Sequence, residues 1–263
     1  MKFLNMKKIL ITCFTLLSFQ ISQAQTLKDI LNDANTILNG GNNNGGGNNN
    51  GGGILPGLGN NLSNTEIVSG LREALKIGTQ NASKKLNIAN GFFGNKLIKI
   101  LLPQEVKNME ATLRQFGFGK QCDRLILSLN RAAEDAAGKA VPIFVNAITS
   151  MNIQDGLNIL RGGNNAATEF LKANTTNALT QAFRPVIQNS LGKVGATKYW
   201  TEIFSIYNRL PITRNKVNPD LTGYVTERAL AGLFTTVAQE EANIRQNPAA
   251  QVTGLLKKVF GGK

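Results

Sequence analysis

Three stretches carry residues whose types and spacing could do chemistry. Arg131 and Glu134 stand three apart in the helical pattern of Lys120 to Ala137, which makes them neighbours on one face. On a buried face such a pair must be hydrogen-bonded and could orient the region of Arg161. On an exposed face it is a surface ion pair of little energetic consequence. The second stretch is Leu160-Arg161-Gly162-Gly163-Asn164-Asn165-Ala166-Ala167-Thr168, which joins two helical patterns. Its glycines allow close backbone approach, and the unpaired amides at the start of the following helix suit a small anion. The simpler reading is a helix stop, with Asn164 capping the next helix. The Gly-Lys-Ser/Thr ending of a phosphate-binding loop is missing. In the third stretch Tyr199, Trp200, Phe204 and Tyr207 follow helical spacing. Core packing accounts for such a stripe by default, and the functional alternative is one wall of a pocket for a lipid or aromatic ligand. The candidate ligand-binding residues are therefore Arg131, Glu134, Arg161, Gly162, Gly163, Asn164, Thr168, Tyr199 and Tyr207.

Catalysis finds less support. The 263 residues include no histidine, which removes every mechanism that needs an imidazole as base, shuttle or metal ligand. Two cysteines, Cys13 and Cys122, cannot build a thiolate zinc site or an iron–sulfur cluster. Cys122 falls in the first turn of its helix, where the dipole lowers a thiol pKa, yet Leu125 and Ile126 follow it and no histidine assists. It reads as a semi-buried, inert thiol. Glu134-Asp135 and Glu240-Glu241 are adjacent pairs, which point about 100° apart on a helix and form no acid/base dyad by themselves. A carboxylate-dependent hydrolase would need two acids from different helices to converge. No catalytic residue, metal or cofactor is expected.

The elements that position these residues are helical almost throughout. Ser63-Asn64-Thr65-Glu66 spells a capping box, followed by the apolar stripe Ile67, Leu71, Ala74, Leu75, Gly78, Ala82 and Leu86. Gly91 to Leu102 lacks that period and suggests an extended connection lying in a groove. Pro103 suits a first helical position, with Val106, Met109, Leu113 and Phe116 inward and Gly117 and Gly119 as stops. Lys120 to Ala137 is a strong helix, and Pro142 restarts the next. Further helices are expected over 154–161, 165–172, 176–193, 196–209, 221–246 and 248–260, with Asp220 capping the one at Leu221 and Pro185 kinking or dividing its own. No hairpin signal appears. The fold class is all-α: one bundle-like multi-helix domain over 62–263.

Before that domain, Lys2, Lys7 and Lys8 precede an apolar run from Ile9 to Phe19, and Ser22-Gln23-Ala24 supplies small residues for cleavage after Ala24. Residues 1–24 read as a signal peptide, since so short a run falls well under the ~20 residues that span a bilayer. Leu27, Ile30, Leu31, Ala34, Ile37 and Leu38 predict a short amphipathic helix within 25–39. A linker over 40–61 follows, opening with the tract GGNNNGGGNNNGGG, whose composition is that of a random coil spanning roughly 20 Å. The chain holds 29 bases and 16 acids; three lysines leave with the signal, so the mature chain has 26 against 16, a formal +10. An exported protein with that excess is drawn to anionic surfaces, and an anionic lipid, a glycan or an envelope protein is the partner expected. With three Tyr, one Trp and no aromatic-plus-basic signature, nucleic acid is not expected.

The stretches LSNTEIVSGLREALKIG, LNRAAEDA, PIFVNAITSMNIQDGLNILRGGNNAATEFLK, LGKVGATKYW and NPDLTGYVTERALAGLF, in that order, resemble the bacterial Domain of Unknown Function 4197 family across 62–260. The resemblance implies an exported all-α protein and supplies no catalytic residue, cofactor or ligand; the localisation expected is the periplasm or the envelope. Together with the charge it favours a non-catalytic binding module for an anionic or amphipathic ligand. A scaffold that docks partners through the tethered amino-terminal helix, and the hydrolase, are the alternatives.

Overall fold

The computed structural model describes residues 63–198, 200–201, 208–209, 216 and 220–247. The expectations for the signal peptide, the 25–39 helix, the linker and the 248–260 helix lie outside those residues, as does half of 196–209, of which 196–198, 200 and 201 are helical.

Helix α1 (Asn64–Leu86) starts where the sequence signals it. The Glu66 amide donates to Ser63 Oγ at 3.3 Å and the Ser63 amide donates to Glu66 Oε2 at 2.8 Å, so two amides without helical partners are satisfied reciprocally. Its stripe Ile67, Leu71, Ala74, Leu75, Ala82 and Leu86 is buried. The expected extended connection over 91–102 is instead turned as far as Ile98, with Gly94 N donating to Asn90 O and Asn95 N to Phe92 O. Only 99–103 run without turns. There Asn130 takes the place of a strand partner: its Oδ1 accepts from Ile100 N and its Nδ2 donates to Ile100 O, both at 2.8 Å. Phe92, Ile98, Ile100 and Leu102 are buried along this path.

Pro103 precedes a 3-10 turn (Gln104–Val106) rather than opening the helix, and α2 (Lys107–Gln115) follows. Next come α3 (Gly119–Ala137), α4 (Ala140–Ser150) and α5 (Ile153–Arg161), the last opened by a second capping box between Asn152 and Asp155. The two helices expected over 165–172 and 176–193 are one, α6 (Ala166–Lys193), and Pro185 lies inside it without ending it. No Gly or Pro stands at 173–175 to stop the helix. The Thr175, Thr176 and Thr180 hydroxyls donate to carbonyls four residues back, which keeps these residues within the helix. Helix α7 (Leu221–Gln246) closes the set. Among the described residues the protein is all-α, with no strand.

Helix α6 is central and packs on α7, α3 and α4, while α1 packs on α7, α4 and α5. Leu171, Leu179, Phe183, Ile187 and Leu191 of α6 are wholly buried against Leu129, Ala132, Ala133 and Ala136 of α3 and Val225, Ala229 and Leu233 of α7. The alanines of α3 let the helices approach closely. Gly232 does the same for the 92–98 turns, since a Cβ there would lie 2.6 Å from Phe92 Cε1. Among the described residues no helix is long and apolar enough to cross a membrane.

Candidate functional site

The structure brings Arg131 and Glu134 together, the carboxylate buried and the arginine 39% exposed, and their partners lie in 90–93. The Glu134 side chain is 5% exposed, and one of its oxygens pairs with Arg131. The other accepts from the Phe92 and Phe93 amides at 3.0 and 3.1 Å, and Arg131 Nη2 donates to Asn90 Oδ1 at 3.0 Å. Asn90 sits at φ +70°, a left-handed conformation that Asn tolerates better than most residues. The pair therefore fixes the 90–93 turns rather than the Arg161 loop.

That loop is already provided with an anion. The Glu241 carboxylate of α7 accepts from Ala167 N at 3.1 Å and from Thr168 N and Oγ1 at 2.9 and 2.8 Å. The amides that made the start of α6 a candidate anion site are thus held by the chain's own carboxylate, where the helix dipole favours negative charge. Arg245 donates to the same carboxylate at 2.8 Å and to the Ile159 carbonyl at 3.1 Å, which ties α5, α6 and α7 into one cluster. Asn164 is not the cap: Asn165 occupies that position and makes no side-chain capping bond. Gly162 ends α5 with extended backbone, and a Cβ there would lie 2.6 Å from the Ala166 Cβ, so its small size admits the neighbouring helix. Arg161, Gly163 and Asn164 are exposed, and Thr168 is buried in its bond to Glu241. Tyr199 and Tyr207 lie outside the described residues, as does Phe204.

The hydrolase candidates are committed elsewhere. Asp135 accepts from Ser190 Oγ at 2.6 Å, and Glu240, its side chain 5% exposed, pairs with Lys85. Glu134 and Glu241 each already hold two amides and an arginine. Among the described residues no three Asp, Glu or Cys side chains cluster to hold a metal.

A cavity of about 360 Å³ opens in a different corner, between α2, the first half of α3 and residues 194–200. Leu102, Val106, Met109, Leu125, Ala196 and Trp200 form its apolar wall, and Leu113 and Val194, 39% and 61% exposed, lie at its edge. The volume is within the ~300–1,000 Å³ usual for ligand pockets. Trp200 stacks on Tyr224 with centroids 6.5 Å apart, and the Tyr224 hydroxyl donates to Leu101 O at 2.7 Å, fixing that wall. Burial pushes the Tyr224 hydroxyl pKa above its ordinary value. Cys122 lines the cavity, and burial pushes its thiol pKa up as well, which disfavours the thiolate. Three charges near the cavity are settled among themselves: Arg114 takes Asp123 at 2.8 Å and Glu110 at 2.8 Å, and these bonds raise its pKa further. Arg124 also lines the cavity, is exposed, and has no ion pair among the described residues.

Sequence periodicity placed Val106, Met109, Leu113 and Phe116 inward. Val106 is buried and Met109 half-buried, but Phe116 is 76% exposed because α2 ends at Gln115 and the chain reverses at Gly117, φ +89°. The apolar face of so short a helix was the available signal for the cavity; the contribution of 194–200, more than seventy residues further on, had none.

No curated protein and no solved structure matches the chain. A family profile described as "Protein of unknown function (DUF4197)" matches residues 61–261, three-quarters of the sequence, and the chain belongs to that family.

Proposed function

We propose that this is a non-catalytic binding protein for a single-chain amphipathic anion, its apolar chain held in the cavity between α2 and α3 and its acidic head at Arg124. The observation that carries the reading is an apolar cavity of ligand size whose lining includes Arg124, a cation with no ion pair among the described residues. Apolar walls supply affinity roughly in proportion to the area covered, and the arginine supplies orientation through charge-assisted hydrogen bonds. The expected export and the +10 formal charge of the mature chain support a carrier in the envelope, where fatty acids and single-chain phospholipids share this chemistry.

Trp200 is the only tryptophan and forms part of the wall, so its emission reports occupancy directly. Titration with dodecanoate and with dodecyl phosphate, both below micelle formation, should give saturable changes, and dodecyltrimethylammonium should not. The relative strengths of the two anions separate a carboxylate ligand from a phosphate ligand. Arg124→Ala should weaken the anions about tenfold, the effect of one charge-assisted contact in a solvated setting. Emission that does not saturate with either anion, or responds equally to the cation, overturns the reading.

A further inference from the structure

The turn between α2 and α3 is built to present aromatic side chains outward. Gly117 N donates to Arg114 O at 3.1 Å and Phe118 N donates to Leu113 O at 2.9 Å. With Gly117 left-handed this is a Schellman closure, which satisfies the last carbonyls of α2 within the turn. On the other side, Gln121 N and Cys122 N donate to Phe118 O at 3.1 and 3.2 Å. The turn thus holds its own backbone bonds while Phe116 is 76% and Phe118 49% exposed, and a Cβ added at Gly117 would meet nothing within 4 Å. Leu113, 39% exposed, joins this tip to the cavity.

The charge around the tip has one sign left over. Arg114 takes up Glu110 and Asp123. Lys120 and Arg124, which follow Phe118 on α3, are exposed and have no ion pair among the described residues. Over 107–124 the sequence holds four bases and two acids, a net +2. Exposed aromatics on a turn with satisfied backbone bonds, bordered by free lysine and arginine, match a surface that enters the headgroup region of an anionic bilayer: rings go into the interface, cations meet the phosphates, and no backbone amide or carbonyl of the closure loses its partner.

We infer that Phe116 and Phe118, with Lys120 and Arg124 beside them, form a membrane-docking tip through which the protein rests on anionic lipid, with the cavity edge facing the bilayer. The inference rests on the turn and its charges rather than on the ligand reading, so either can fail alone: soluble dodecanoate tests the cavity, and vesicles test the tip.

The test is flotation of the mature chain with phosphatidylglycerol/phosphatidylcholine vesicles and with phosphatidylcholine vesicles. Binding is expected to the anionic set and to fall as salt is added. A double variant, Phe116→Ser with Phe118→Ser, should lower the partition coefficient at least ~10-fold with unchanged circular dichroism and melting, since both rings are largely outside the core. Lys120→Glu should abolish the preference for anionic lipid while leaving residual binding. In a Trp200→Phe background, Phe116→Trp should shift its emission to the blue when anionic vesicles are added. Absence of flotation, equal binding by the double variant, or a concentration-dependent dimer that the double variant loses without any vesicle binding would overturn the inference.

Discussion

Glu241 and Phe116 are both misplaced by simple partition, one a charge inside the protein and the other an aromatic ring in water. The chain accounts for the first completely: two amides of α6, the Thr168 hydroxyl and Arg245 all meet the Glu241 carboxylate. Nothing among the described residues accounts for the second, because α2 stops one residue before it and the Schellman turn holds the ring outward. Buried charge in the α6–α7 half is therefore architecture, which welds helix ends together. Exposed apolar surface at the α2–α3 corner has no such partner among the described residues, and it borders the cavity. This contrast moves the search for function away from the acidic residues and towards the hydrophobic corner.

The contrast breaks most visibly at Glu241. Glu241→Ala leaves the buried start of α6 and Arg245, 13% exposed, without their anion. Removing one member of a buried, hydrogen-bonded charge cluster costs about 3–5 kcal/mol, on the order of 10 °C in melting temperature for a domain of this size. Thermal unfolding followed by circular dichroism measures it. The dodecanoate response of the folded protein should be unchanged, because neither Glu241 nor Arg245 borders that cavity. A large loss of ligand response with little loss of stability would reverse the roles assigned to the two regions.

A smaller effect is expected where helix α7 meets the 92–98 turns. Gly232→Ala forces a Cβ to 2.6 Å from Phe92 Cε1 and 3.2 Å from Ile98 Cβ. Overpacking of this kind costs about 1–3 kcal/mol, which exceeds the ~0.5–1 kcal/mol an alanine gains over glycine in a helix. Gly192, in α6, has nothing within 4 Å of an added Cβ. Gly192→Ala should therefore change sign and stabilise by about 0.5–1 kcal/mol. Urea denaturation of the two single variants checks both. Equal and favourable shifts would mean that the Phe92 turns yield freely, and the closed half would then be less closely packed than its buried residues indicate.

Local signals in the sequence were readable and distant ones were not. The capping box at Ser63, the stop at Gly117 and the Asp220 cap each lie within three or four residues of their partners, and the structure has all three. The sequence offers the 160–168 stretch as a helix stop capped by Asn164 or as amides suited to a small anion, but the cap position is Asn165 and the carboxylate on those amides is Glu241, more than seventy residues away. Asn130 gripping Ile100, and Glu134 gripping the Phe92 and Phe93 amides, are likewise invisible without the fold. Phe116 misled for a local reason: its spacing continues the apolar period of Val106, Met109 and Leu113 after the helix carrying that period has ended.

Asp220 provides the intermediate case, and the smallest effect. At the opposite end of the α6–α7 pair it repeats the Glu241 arrangement, with Oδ1 accepting from Gly223 N at 2.9 Å and Oδ2 paired to Arg184 at 2.6 Å. Here the two side chains are 41% and 48% exposed. Burial tends to raise the carboxyl pKa, but the Gly223 amide and Arg184 outweigh it and hold Asp220 below the ordinary aspartate value. A folded pKa below the unfolded one means stability that is present above the unfolded value, ~3.9, and is lost as pH falls through the folded one. Exposure and salt screening keep the contribution under about 1 kcal/mol. The melting-temperature difference between the native chain and Asp220→Asn should therefore be small and positive near about pH 7, and should close as pH falls through the lowered pKa of the folded state. If it stays constant across that range, the aspartate acts only as a neutral cap. If it is as large as the Glu241→Ala loss, exposure is not what separates the two ends of this helix pair, and the distinction drawn between buried architecture and open surface would need another cause.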